Sequence, residues 1–431
     1  MNRILVTNAY SARNRGDAAI LLGMIRALRD TEVFADAEIR ISTADHPADA
    51  GAYPVPTVAS FHSLKNGLTR IPWVNLLHFL VVLLPLALLW TAAWRLGKVD
   101  LPVPERLRAL LREYSEADLI VAAGGGYLYT TSAARGNVVL IVTVASFLVG
   151  RWLGKPVVLY AQSIGPFASR AQEWFVRRAL ECVDLIEVRE KISLRLLERW
   201  GLRTPLVSVA DAAFLLEPRE PEWASDAIGP GSGPSVGLTV RRWFRDPDDQ
   251  AAYESSIAIF VDRLVETYGA EVVFVPQVTF TDGRDDDRES ARRVAARTNG
   301  GDGVLVIEEE LSAAEVKWLC GQMDFFVGTR MHSNIFALSS GVPSLAIAYQ
   351  PKSLGIMESL GLAGFVLPID TLNADELAAV FSEMVEREGE IRSRLEDALP
   401  AVREDALEGG RVIAGWWTRR QGDPERGGAT S

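Results

Sequence analysis

The chain reads as an α/β protein made of two Rossmann-like domains with a cleft between them. Three observations predict this. Short apolar runs bounded by turn residues alternate with helical patterns in both halves, the signature of parallel sheets. A segment rich in glycine and proline, residues 217–234, separates the halves. The 431 residues leave each half long enough to bury a core of its own.

The first domain is expected over residues 1–216. Its strands read at 4–7, 37–42, 119–122, 157–161, 185–188 and 206–209, and its helices at 17–29, 104–117, 136–153, 168–182 and 191–200. The second domain, 235–421, repeats the pattern, with strands at 235–240, 271–276, 304–307, 325–327 and 344–347. The last helix, with Trp416 and Trp417, is expected to pack back on the first domain. The tail, 422–431, reads as disordered. Two such halves place a ligand at strand C-termini.

Composition narrows the function. A hydrophobic share of 48% excludes general disorder. The net charge of −11 argues against a nucleic-acid partner, whose footprint would be basic. Cys182 and Cys320 lack CxxC spacing, so no disulfide framework is expected and the setting reads as reduced and cytoplasmic. A strand starts near residue 3, so no signal peptide is expected.

An apolar run, 76–93, lies inside the insertion 72–97. Its length reaches that of a membrane span. A span would put neighbouring strands of one sheet on opposite sides of the membrane, so two readings stand: a buried or partner-covered helix, or a monotopic element dipping into a leaflet. Trp73, Trp90 and Trp94, with Arg70, Arg95 and Lys98, suit the second. Pro85 reads there as a bend between two short apolar legs.

The most informative stretch runs from Asp324 to Ala337. It reads as a buried strand, a glycine turn, the pair Arg330 and His332, and a helix opening at Ser333-Asn334. Free N–H groups and the helix dipole at that end favour an anion. Arg330 adds a bidentate fork and His332 a proton donor. Other strand ends carry candidates too. Asn14-Arg15-Gly16-Asp17 opens the first helix, with Gly16 suited to a tight turn and Asp17 to an N-cap. Gly124-Gly125-Gly126 offers backbone N–H donors. Gln162, Arg241, Glu308 and Lys352 each follow a strand. Asp285-Asp286-Asp287 reads as a solvated helix start, and no His or Cys spacing fits a metal.

Taken together, these motifs resemble the polysaccharide pyruvyl transferases. The resemblance rests on Asn14-Arg-Gly-Asp-Ala-Ala-Ile-Leu21, Gly124-Gly-Gly126, Gln162-Ser-Ile-Gly-Pro166, Val188-Arg-Glu-Lys-Ile-Ser193 and Ala210-Asp-Ala-Ala-Phe214. It continues through Val275-Pro-Gln277, Gly328-Thr-Arg-Met-His332, Gly341-Val-Pro343 and Tyr349-Gln-Pro-Lys352. The insertion is not part of that set. The resemblance implies a GT-B-type glycosyltransferase architecture. It also implies transfer of the pyruvyl group of phosphoenolpyruvate to a sugar as a ketal, on a cell-surface polysaccharide or its lipid-linked precursor.

It places Arg330, His332 and, by position, Arg241 in the donor site. Charge and placement add Lys352 and Ser333. Chemistry makes His332 the general acid, with Asp17 the first and Glu308 the second choice of base. The acceptor is expected on the first domain, near Asn14, Gly125, Gly126 and Gln162. The scheme needs no metal or other cofactor. The expected location is cytoplasmic, at the inner face of the plasma membrane, with peripheral contact through 76–93. A nucleotide-sugar glycosyltransferase and a non-catalytic sugar-binding subunit remain as rival readings, because fold alone does not separate them.

Overall fold

One strand order builds two separate parallel sheets. In a computed structural model describing residues 2–66, 69, 71–223, 233–280 and 285–422, the first sheet contains β1 (Arg3–Ala9), β2 (Glu38–Thr43), β3 (Thr57–Ala59) and β4 (Leu119–Ala122). It continues with β5 (Gly125–Leu128), β6 (Val157–Ile164), β7 (Leu185–Val188) and β8 (Leu206–Ser208). The order is β3-β2-β1-β4-β6-β7-β8, with β5 added on β6.

The second sheet holds β9 (Ser235–Thr239), β10 (Glu271–Phe274), β11 (Val304–Val306), β12 (Phe325–Gly328), β13 (Ser344–Ala348) and β14 (Val366–Pro368). Its order is β11-β10-β9-β12-β13-β14. Both orders reverse once, between β1 and β4 and between β9 and β12. Such a reversal leaves a crevice at the strand C-termini. Strands β4, β6, β7 and β12 are buried along their whole length, as strands covered on both faces must be. The sequence reading missed β3, β5 and β14, each three or four residues long.

The chain divides into unit 1, Met1–Ala12, Ile20–Leu215 and Glu404–Ser431, and unit 2, Arg13–Ala19 and Leu216–Arg403. Residues 13–19 and 404–431 thus fall on the other side of the boundaries read from composition. Composition marks linkers, and neither crossing uses one. Of the expected linker, 224–232 lies outside the described residues, as does 423–431 of the expected tail. The helix Glu388–Gln421 ends in unit 1, where the Trp417 ring lies 6.3 Å from that of Phe34.

The insertion is helical from end to end. Pro72–His78 passes into a π-helical turn, Phe79–Leu83, and then into Leu84–Gly97. Pro85 stands at the start of the last segment, where its missing N–H costs little. The two legs bent at Pro85 do not form. Phe79, Leu83, Ala87 and Trp90 belong to the core of unit 1, and the Trp90 indole donates to Asp100 at 2.8 Å. The opposite face is exposed. One side of this helix is therefore core, as the buried-helix reading expects, and the other side is bare.

Candidate functional site

The reversal between β9 and β12 in unit 2 is lined by charge. Arg330 follows β12 by two residues and stands immediately before the helix Met331–Ser339. Its Nη2 donates to Asp285 at 2.6 Å and to Asp287 at 2.5 Å. Arg241, just past β9, donates from Nη2 to the same Asp285 oxygen at 3.3 Å. Its guanidinium also lies 4.5 Å from the centroid of the Tyr349 ring and 5.3 Å from that of Trp243, so both aromatic faces hold it. Two guanidinium groups thus converge on one carboxylate oxygen at the strand ends.

Asp287 is buried and fixes Arg330 in place. Its Oδ2 accepts from the main-chain N–H groups of Gln277 and Val278 at 3.1 and 3.0 Å, and from Arg330 Nε at 3.2 Å. Burial pushes this carboxyl up, while Arg330 opposes the shift. With three donors aimed at it, Asp287 acts as a carboxylate. Burial would loosen the Arg330 proton, but Asp287 and Asp285 outweigh it and raise the guanidinium pKa. The reading of 285–287 as a solvated turn is therefore corrected. A buried arginine needs counter-charge, and that requirement is the signal that could have pointed to these acids.

The turn Asn14–Asp17 belongs to the same unit. Arg13 O accepts from Thr279 N at 3.1 Å and Arg15 N donates to Gln277 O at 3.0 Å, so the segment runs antiparallel to 277–279. Arg15 Nη2 reaches Thr279 Oγ1 at 3.0 Å and Glu310 at 2.8 Å. Asn14, not Asp17, caps the helix Arg15–Arg29. Its Oδ1 accepts from Gly16 N at 3.2 Å, while its Nδ2 donates to Asp17 at 2.7 Å. Gly16 is needed for closeness: a Cβ there would stand 2.3 Å from His332 Nδ1. His332, half-buried at the second position of the helix Met331–Ser339, thus lies against the turn that carries Asp17.

Unit 2 therefore brings together Arg330, Arg241, His332, Asn14 and Asp17. Two other expected members, Ser333 and Glu308, are engaged within the protein. Ser333 is buried, and its hydroxyl bonds Arg330 O at 2.6 Å and Thr239 at 2.9 Å, which pins the turn from within. Glu308 is exposed and held by Arg292 through bonds of 2.7 and 2.6 Å. Exposed Glu310 pairs with Arg15 and Arg288. Lys352 is the second residue of the helix Pro351–Ser359, and its side chain lies outside the described residues. Among the described residues no group of three or more His, Cys, Asp or Glu could hold a metal.

In unit 1, Gly125 is buried with φ +145°, a conformation open to glycine. It opens β5, facing Gln162 of β6, and half-buried Gly126 follows it. Gln162 lies within the strand and has no exposed surface. Its Nε2 donates to Ala123 O and, at 2.6 Å, to the Tyr127 hydroxyl.

Comparison with known proteins decides the lineage. Residues 14–351 match the family described as Polysaccharide pyruvyl transferase. The chain belongs to this family. It is 25% identical over 435 residues to the amylovoran biosynthesis protein AmsJ of Erwinia amylovora, covering 96% of this chain and 98% of that protein. Among solved structures it is similar to the UDP-GlcNAc 2-epimerase of Neisseria meningitidis, with a TM-score of 0.60, 10% identity and coverage of 97% and 100% of the two chains. It is also similar to sucrose-phosphate synthase from Thermosynechococcus elongatus, with a TM-score of 0.58, 14% identity and the same coverages. At these identities the likeness shows the fold alone, two Rossmann-like domains of the GT-B type.

Proposed function

We propose that this pyruvyl transferase family member moves the pyruvyl group of phosphoenolpyruvate onto two hydroxyls of a sugar as a ketal. The acceptor is a cell-surface polysaccharide or its lipid-linked precursor, met in the cytoplasm. The observation that carries the donor assignment is the Asp285 oxygen held between Arg241 and Arg330. It marks a place where a carboxylate or phosphate oxygen meets two guanidinium groups.

The chemistry follows from the neighbours. His332 gives its proton to the methylene carbon of the donor, and the central carbon turns electrophilic. One sugar hydroxyl adds there, and Asp17 takes its proton. The C–O bond to phosphate breaks, the second hydroxyl adds, and its proton leaves with phosphate. The proton on Asp17 then passes through solvent to His332, which restores both groups, so of the two O–H protons one ends in the new methyl group and one on inorganic phosphate. Arg241 and Arg330 hold the donor's negative charge throughout, so the scheme calls for no cofactor. Asp287 positions Arg330 and does not touch substrate.

The test is direct. Phosphoenolpyruvate should raise the thermal transition of the protein, and nucleotide sugars should leave it unmoved. An acceptor glycan incubated with both should gain the mass of a pyruvyl ketal. Stabilisation by a nucleotide sugar alone would transfer the reading to glycosyl transfer.

A further inference from the structure

The exposed side of the helix in unit 1 is apolar. Trp73 is 67% exposed and Leu96 90%, and Leu77, Val81 and Leu89 lie between them. The helix packs against Ala133–Trp152, which adds exposed Val139 and Trp152. In the most apolar contiguous stretch of eighteen residues within Trp73–Gly97, only 28% are buried. An apolar stripe of this length on a folded unit calls for an occupant.

Charge says which occupant. Residues 50–99 and 119–172, which contain both helices, hold none of the chain's 56 Asp and Glu but eight of its 45 Lys and Arg. The rest of the chain keeps 37 basic residues against those 56 acids. Exposed Arg95 and Lys98 end the first helix, and Arg151 lies beside Trp152 on the second. Arg95 donates to the Trp152 carbonyl at 3.1 Å, so the cations and the two tryptophan-bearing helices meet at one edge.

We propose that this face of unit 1 docks on an anionic lipid surface, with the helix lying along the bilayer interface. Apolar side chains enter the acyl boundary, tryptophans sit at headgroup level, and the cations meet lipid phosphates. The helix does not cross. The strands that flank it, β3 and β4, share one sheet, and Phe79, Leu83, Ala87 and Trp90 hold its other side in the core. A second copy of the chain fits less well, because two faces edged by Arg95, Lys98 and Arg151 would bring cations together. The inference is independent of the donor chemistry.

The full chain should co-sediment with vesicles of phosphatidylcholine mixed with phosphatidylglycerol, and weakly with phosphatidylcholine alone. Added salt should weaken the binding. Changing Leu77, Val81, Leu89 and Leu96 to Ser should preserve the thermal transition and reduce vesicle binding by roughly tenfold or more. Changing Arg95, Lys98 and Arg151 to Gln should abolish the preference for the anionic vesicles. If the serine variant fails to fold, bromolipid quenching of Trp73 decides, read as the difference between the chain and Trp73→Phe. Quenching supports the docking. Its absence, a chain that stays in solution with both vesicles, or a dimer that the serine variant dissolves would each overturn it.

Discussion

Unit 2 lines its point of strand reversal with charge, while unit 1 lines the equivalent point with neutral hydrogen-bonding groups. In unit 2, Arg241, Arg330, Asp285 and Asp287 interlock there. In unit 1 the groups are Asn8, Tyr127 and Gln162. Tyr127 donates to Ala123 O at 2.6 Å, and burial pushes its phenol up, so it stays neutral. Among the described residues Asn8 Oδ1 and Gln162 Oε1 have no partner. Arg189 is neutralised by Asp211. One topology thus presents two chemistries: cations suited to a phosphate or carboxylate, and neutral donors and acceptors suited to sugar hydroxyls.

The largest expected effect strikes the charged side. Arg330→Ala leaves Asp285 and buried Asp287 without their main cation, and unit 2 should lose roughly 3–5 kcal/mol in denaturant unfolding. Phosphoenolpyruvate should no longer stabilise what remains. Arg241→Ala should keep the fold yet weaken the donor by about 2 kcal/mol or more. Donor stabilisation surviving in both variants would move the anion site elsewhere.

His332→Gln should lower turnover by about 10²–10⁴ with a modest change in donor KM. Turnover within a few-fold of the parent would remove the imidazole from proton delivery. On the neutral side, Tyr127→Phe should raise acceptor KM by roughly five- to tenfold and leave donor binding alone. Equal losses for donor and acceptor would erase the contrast between the units.

A pH slope in unit 1 reads the comparison through stability alone. Burial, reinforced by Lys65, pulls the His62 pKa down to about 4. An unfolded chain takes that proton near pH 6.5. Stability is therefore full above about pH 6.5 and falls as pH drops toward 4, by up to about 3 kcal/mol. His62→Gln should flatten that slope in urea midpoints compared between neutral and acidic buffer. Superimposed slopes would assign the acid sensitivity to another group.

Much of this was legible in the sequence because the signals were local. The alternation of buried strands and helices gave both sheets. The Arg330–His332 pair lay at a strand end that any parallel sheet would expose. What stayed hidden depended on distant partners. Asp287 looks like a helix-start acid until Arg330 and the N–H groups of 277–278 close on it. Glu308 and Glu310 are two residues apart, yet only the second meets Arg15. Gln162 sits inside a strand longer than its apolar run suggested. The apolar insertion was ambiguous because composition does not tell the buried side of a helix from the bare one.

The first turn of the helix Arg15–Arg29 belongs to unit 2, and the rest of that helix to unit 1. Synthesis on the ribosome is constrained by this division. The segment carrying Asn14 and Asp17 emerges early, but its antiparallel partner at 277–279 follows more than two hundred residues later. Unit 1 likewise waits for residues beyond 404 to seat Trp417 against Phe34. Neither unit can be excised as one uninterrupted piece of polypeptide. The turn at 14–17 can pair with 277–279 only after most of the chain has been translated.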